Sequence, residues 1–400
     1  MKELTGIIEM RGIHRDKTLA LATVVQTEGS SYRRPGARML ILPDGRTVGS
    51  VSGGCLERNV VFHALEVIAS RKPVVLTFDT TNEEDIAYGA GLGCRGVIHI
   101  LVECIHPLPT GKKDRADLID FFENVIDRRE SGVIATVIRA EGTGVTQVGD
   151  RLLLQPSETP QWQGNFEFEH QIQLMAEAEE MLGSNRSKVI SCTNESEQLE
   201  VFLEVAQAPT PLVIFGAGYD ALPLVRLAKE VGYHVTVVDR RPSYATRERF
   251  PEADMILLAN TEGLPEGLIL DEKASVVIMS HNYLTDLAFL REVLSVPLRY
   301  AGLMGPRKRA EKMFAELEED ENVPLHRWSQ LHNPVGLDIG ADGPEQIAIS
   351  ILAEIQANMA GHTGGFLREK KGPIHVPRQM ESMSTTRMVP TESEKEFCPA

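Results

Sequence analysis

Over the first half of the chain, short runs of alternating β-branched and small residues separate stretches with a 3.6-residue apolar period. Residues 2–12 read as an amphipathic helix, and LALATVVQT and RMLILP as two strands around a Gly-bounded loop. A second helix spans 56–70, and VVLTF and VIHILVE close the unit. The order then repeats, with a helix at 117–130, two β-rich runs, a helix at 169–183, and strands KVISC and LEVFLEV. A sheet of this kind has an apolar face to bury. The pattern therefore predicts an α+β domain over 1–207, built from two related halves (about 1–105 and 115–207) packed on each other.

The repeat is also visible residue by residue. ATVVQTEGSSYRRPGARMLILP (22–43) aligns without a gap on ATVIRAEGTGVTQVGDRLLLQP (135–156), with nine of 22 positions identical. After Ala208-Pro209-Thr210-Pro211 the pattern changes to continuous apolar runs alternating with helices. LVIFGAGYDALPLVRLAKEVGYHVTVVDRRP reads as strand 212–215, a Gly turn, helix 219–231 and strand 234–238 ending at Asp239. MILLA, SVVIMS and LRYAGLMG continue the alternation, and a long helix starts at Pro344, a residue suited to the first helical position. Residues 208–360 are thus expected to form a Rossmann-like domain with a parallel sheet. Residues 361–400, rich in Gly, Pro, Ser, Thr and Met, are expected to be a mostly disordered tail. The fold class is α/β, a duplicated α+β domain followed by a Rossmann-like one.

Composition narrows the function. The 400 residues are 42% hydrophobic and carry a formal charge of −16, which disfavours nucleic acid as a partner. No apolar run reaches the roughly 18 residues that span a membrane, and the N-terminus lacks a signal-peptide core. The five cysteines are odd in number, widely spaced and without a CxxC. They suit neither a disulfide framework nor a structural zinc site, and a cytoplasmic protein with reduced thiols is expected.

The two halves share scaffold residues but not chemistry. Ser30, Arg33 and Arg34 in the first have Thr143, Thr146 and Gln147 as counterparts. Gly53-Gly54-Cys55-Leu56-Glu57 and the loop carrying Cys94 have none. Glycine amides at a helix start form an anion site, arginines bind phosphate bidentately, and a thiol there is a nucleophile or soft ligand. The plain alternative is a tight turn before a small buried residue, with Arg33 and Arg34 a solvated pair. Glu57 is open to two roles, capping its own helix or acid–base chemistry. In the second domain, Gly216 and Gly218, with Ala221 in place of a third glycine and Asp239 at the ribose position, form a dinucleotide fingerprint. Arg240 and Arg241 would suit an extra phosphate. His281 ends a strand on the side where such sheets bind ligands. An NAD(P)-dependent oxidoreductase, with His281 moving a proton, is one function these residues allow. A protein that only docks partners is another.

The motifs together resemble the XdhC/CoxI family, the xanthine dehydrogenase accessory factors. The resemblance rests on GSSYRRPGARMLILPDGRTVGSVSGGCLE, GLGCRGVIHILVE, VIFGAGYDALPLVRLA through VTVVDRRP, SHNYLTDLAFL, YAGLMGPRKRAEKM and HNPVGLDIGADGPEQIAISILAEI. It implies a chaperone that binds molybdenum cofactor (a molybdopterin), holds it for terminal sulfuration and inserts it into a xanthine dehydrogenase-type molybdenum hydroxylase. A cysteine desulfurase partner and a homo-oligomer are further expectations. In this reading Cys55 and Glu57 carry the chemistry, and Ser30, Arg33, Arg34, Gly53, Gly54 and Cys94 hold the cofactor. Gly216, Gly218, Asp239 and His281 are left for a dinucleotide such as NAD. The chain departs from the family where His281-Asn282-Tyr283 replaces His-x-His, Gly305-Pro306-Arg307 replaces Gly-Ser-Arg, and GAGYDA replaces GAGHVG.

Overall fold

The structure is a computed structural model that describes residues 2–29, 31–79, 96–107, 117–184, 187–260, 264–318, 324, 327 and 330–371. The first half consists of helix α1 (Lys2–Ile13), strands β1 (Leu19–Gly29), β2 (Arg38–Ile41) and β3 (Thr47–Gly49), helix α2 (Glu57–Ser70), and strands β4 (Val74–Asp79) and β5 (Gly96–Ile105). The second half repeats it with α3 (Leu118–Asp127), β6 (Gly132–Gly142), β7 (Arg151–Leu154), β8 (Gln161–Gln163), α4 (Phe168–Met181), β9 (Lys188–Thr193) and β10 (Glu197–Ala206). Both sheets are antiparallel and have the same order, β3-β2-β1-β5-β4 and β8-β7-β6-β10-β9. The short third strands β3 and β8 carry too few apolar positions to register as strands in the sequence.

Alternation along each strand assigns its two faces. Ala20, Ala22 and Val24 of β1 pack under α2, beside Val60, Ala64 and Val67. Leu19 and Leu21 point to the other face, into a core shared with Phe121, Phe122, Ile134 and Leu153 of the second half. The second half is built alike, with Leu174 and Ala178 of α4 over Val133, Ala135 and Val137. Each long strand also carries a β-bulge, at Val25 in β1 and Ile138 in β6. A bulge re-aims a side chain. Here it sends Val25 and Ile138 into one four-residue cluster with Leu101 and Phe202, tying sheet to sheet.

Two buried ion pairs cross the same interface in opposite senses. Arg38 of β2 forks onto Glu204 of β10, and Arg151 of β7 pairs with Glu103 of β5. Arg38 also lies over the Phe122 ring, 4.4 Å from its centroid. The pairs are related by the duplication, because positions 38 and 151 are equivalent, as are 103 and 204.

The C-terminal domain has strands β11 (Pro211–Phe215), β12 (His234–Asp239), β13 (Met255–Leu258), β14 (Ser275–Ile278), β15 (Tyr300–Leu303) and β16 (Leu331–His332). They form one parallel sheet in the order β13-β12-β11-β14-β15-β16, the doubly wound arrangement. Helices α5 (Ala221–Val231) and α8 (Pro344–Met359) cover one face, and α6 (Tyr283–Ser295) and α7 (Arg307–Leu317) the other. Pro344 opens α8 at its first turn, as its fixed φ favours. Helix α1 lies between the domains, touching β2, β3 and α3 on one side and α5 on the other, where Lys2 pairs with Glu230. Of the expected tail, residues 361–371 are exposed and include a single 3-10 turn at Leu367–Glu369. The remainder lies outside the described residues.

Candidate functional site

The stretch GSVSGGCLE folds into a closed hydrogen-bonded loop at the start of α2. The Ser52 hydroxyl accepts from the Gly54 N–H at 3.2 Å and the Leu56 N–H at 3.1 Å, and donates to the Glu57 carboxylate. Glu57 also accepts from the Ser50 hydroxyl and the Ser52 N–H, both at 2.9 Å. Burial pushes the Glu57 carboxyl up. The bonds from Ser52, Ser50 and the backbone outweigh it and hold the group below the usual carboxylate range. Glu57 therefore works as the loop's anchor. Gly54 takes φ +109°, a left-handed conformation open to glycine. The ring carries Cys55 on its outer edge, exposed, with its Sγ 3.5 Å from the Ser52 hydroxyl.

The arginine loop meets this ring. The Tyr32 ring lies against the turn at Gly53, where a Cβ would meet it at 3.4 Å, an ordinary van der Waals contact. Next to Tyr32, Arg33 is ion-paired with Glu3 of α1. Arg34 is exposed and has no side-chain partner among the described residues. Pro35 and Gly36 reach the edge of a cavity of about 420 Å³ between the two domains, which Arg38 and Glu204 also line. The contact of Gly53 with Tyr32 thus joins the thiol loop to the arginine loop, while Arg33 itself turns to α1. Ser30 and Cys94 lie outside the described residues.

The second half shows what the same position looks like when filled. Gly29 of β1 pairs in register with Gly96 of β5, and the equivalent Gly142 of β6 pairs with Glu197 of β10. Where the first half has Gly96, the second has a buried carboxylate. Glu197 accepts from the Thr146 hydroxyl at 2.5 Å and lies 3.0 Å from Nδ1 of the buried His170. Thr146 is the counterpart of Arg33, and the buried faces of the two helices align His170 of α4 with Val60 of α2. A Cβ on Gly144 would come within 2.1 Å of Glu197, which accounts for a glycine there against Ser31 in the first half. The second half plugs the space between strand ends and helix start with its own side chains. The first half has arginines, glycines and a thiol instead.

In the C-terminal domain the fingerprint loop has the expected shape. Gly216 takes φ +121°, and a Cβ there would strike the Met279 backbone at 2.6 Å. Gly218 is not required by the surrounding protein, since a Cβ would meet nothing closer than 3.6 Å. The residues around the loop do not suit a dinucleotide. Asp239 has both oxygens taken, by the Ala217 N–H at 2.6 Å and by the Arg241 N–H, Nε and Nη2 at 2.8, 2.9 and 2.7 Å. A carboxylate offers about four acceptor sites, so none is left for a ribose hydroxyl. Burial raises the Asp239 pKa, but these bonds, led by Arg241, hold it below the ordinary value. Asp220, a residue the fingerprint does not anticipate, places a carboxylate at the start of α5, where a pyrophosphate would sit. It holds His281 at 2.8 Å through Nε2. His281 itself has φ +60°, unusual for a residue with a side chain. Next to it, fully buried Asp286 takes Arg309 at 2.7 Å and the Ser280 N–H at 3.1 Å. That pair joins α6, α7 and the end of β14.

A doubly wound C-terminal domain behind a duplicated antiparallel domain, with an exposed thiol loop on one half alone, defines a two-domain class. Comparison with known proteins gives the family. Residues 13–79 match the XdhC and CoxI family, and residues 212–355 the XdhC Rossmann domain. A probable xanthine dehydrogenase subunit of Bacillus subtilis (strain 168) is 31% identical over 337 residues, 84% of this chain and 91% of that protein. The molybdenum cofactor insertion chaperone PaoD of Escherichia coli (strain K12) is 22% identical over 347 residues, 85% of this chain and 83% of its own. A 2.80 Å crystal structure described as a xanthine dehydrogenase from Bacillus halodurans superimposes with a TM-score of 0.69 at 28% identity, covering 90% of this chain and 96% of that one. The chain belongs to the XdhC/CoxI family.

Proposed function

We propose that this chain is an accessory factor that carries molybdenum cofactor as cargo, holds it for terminal sulfuration, and inserts it into a xanthine dehydrogenase-type molybdenum hydroxylase. The observation that carries the reading is the contrast at one register position. Glu197 stands at that position in the second half, and the first half has Gly96 there, with no carboxylate of its own at that register position. Around that position the first half offers what the cargo calls for. Arg34, joined by Arg33 on release from Glu3, suits the phosphate, and the Gly53-Gly54 turn brings backbone close to the pterin. The Cys55 thiolate is a soft ligand for the metal–dithiolene end. The Ser52–Glu57 bonds hold that thiol in place without covering it. A cysteine desulfurase supplying the sulfur, and a homo-oligomeric carrier, complete the reading.

The test is metal and pterin content after purification from a host that makes the cofactor, with wild type beside Cys55→Ala. Near-stoichiometric molybdenum and pterin in wild type, lost in the variant, is the expected outcome. Equal content in both would remove Cys55 from the site. Absence from both would remove the carrier function. The NAD(P)-oxidoreductase alternative gains no support from the occupied Asp239 and the carboxylate of Asp220.

A further inference from the structure

A cavity of about 560 Å³ lies between the domains, against the 207–211 linker. It shares Gln207, Ala208, Thr210, Gln356 and Met359 with the cavity under the arginine loop, so both flank the linker. Its charged lining is lopsided for a protein of net charge −16. Arg128, Arg129, Lys273 and Arg299 face it, opposed by a single carboxylate, Asp271. Arg128 is neutralised by Glu158 at 2.7 Å, and an Asp271 oxygen accepts the Lys273 N–H at 2.9 Å. The side chains of Arg129, Lys273 and Arg299 have no partner among the described residues.

These three cations come from different parts of the molecule. Arg129 follows α3 in the first domain and takes φ +53°, a left-handed conformation costly for a residue with a Cβ. Lys273 and Arg299 precede β14 and β15 in the second domain. Like charges gathered in one cleft repel, and they raise the local concentration of a counter-ion. Ile269, Pro209 and Met359 add apolar surface beside them. The volume falls within the range of pockets for small organic ligands.

From this we infer that the cleft is a second binding site, for a phosphorylated small molecule, whose phosphate or diphosphate group is held by Arg129 from one domain and Lys273 and Arg299 from the other. Such a ligand bridges the domains and fixes their relative position across the linker. This site is separate from the Cys55 surface, and its test does not depend on the cargo reading.

The probe is inorganic pyrophosphate, titrated calorimetrically into the full chain at low salt, with inorganic phosphate as a weaker comparison. Saturable binding is expected, weakened at least tenfold by the double variant Lys273→Gln/Arg299→Gln. Arg129→Gly should weaken it similarly, since glycine keeps the left-handed backbone. Cys55→Ala should leave it unchanged. Unaltered melting temperatures would show that the variants fold. No saturation by about 1 mM, the weak limit of specific binding, overturns the proposal. So does undiminished affinity in the double variant. An effect of Lys273 and Arg299 without one of Arg129 would mark a patch on one domain and overturn the bridge.

Discussion

The two halves of the N-terminal domain share a sheet order, a bulge and a reciprocal ion pair, yet only one shows an exposed thiol loop. The second half spends the equivalent space on stability. Its Glu197, His170 and Thr146 bury three polar side chains in hydrogen bonds that converge on Glu197, with Nε2 of His170 buried and without a partner among the described residues. The first half has none of those side chains at the matching positions. Duplication thus supplies an internal control, because a scaffold need should appear twice and a binding need once.

The sharpest way to break this comparison is to copy the plug. Gly96→Glu puts a carboxylate at the register position of Glu197. Molybdenum content is expected to fall at least tenfold with the fold intact. Unchanged content would mean that the first-half space does not hold cargo. A smaller effect is expected on the shared scaffold. Glu204→Gln and Glu103→Gln each break a buried pair, and each should cost about 3–5 kcal/mol in urea unfolding. Strongly unequal losses would show that the two pairs are not equivalent. Opening the plug with His170→Ala removes a buried side chain and one bond to Glu197. A loss of about 2 kcal/mol, with cargo content unchanged, would assign that network to stability alone.

The smallest effect concerns the loop anchor. The Glu57 carboxyl is held below its ordinary value of 4.5, so its contribution to stability is complete above that pH and is lost as pH falls through the lowered value. Glu57→Gln should therefore lower the melting temperature modestly at neutral pH, where the ionised form contributes in full, and reduce its acid sensitivity below pH 4.5, where the two proteins converge. A wild-type slope in the variant would show that the Ser50 and Ser52 bonds do not stabilise the ionised form.

Much of the architecture can be read from local pattern, because helices and half-buried strands must carry a period that matches their geometry. LALATVVQT, VTVVDRRP and the Pro344 helix each announce an element this way. The register of the repeat, from ATVVQTEG to ATVIRAEG, also locates the residues that differ between halves. Short elements escape, since β3, β8 and β16 are too brief to show a period. Site chemistry is legible as residue type and spacing only. Cys55, Arg33 and Gly54 stand out because the second copy lacks them. The anchoring role of Ser52 does not, because a serine in a Gly-rich turn looks like any other.

What the sequence determined alone was the family, the two fold classes and the asymmetry of the duplicated halves, all properties of local order along the chain. Only the tertiary structure decided how acids and bases divide among partners. It gave Arg33 to Glu3, Arg38 to Glu204, Asp239 to Arg241, and His281 to Asp220. Each of these pairs depends on which strand end or helix start meets which, apart from Asp239 and Arg241, two residues apart, whose geometry is set by the turn after β12. Coulomb and hydrogen-bond energies fall off within a few ångströms, so a partner 166 residues away in the chain, as for Arg38, exists only once the sheets are packed.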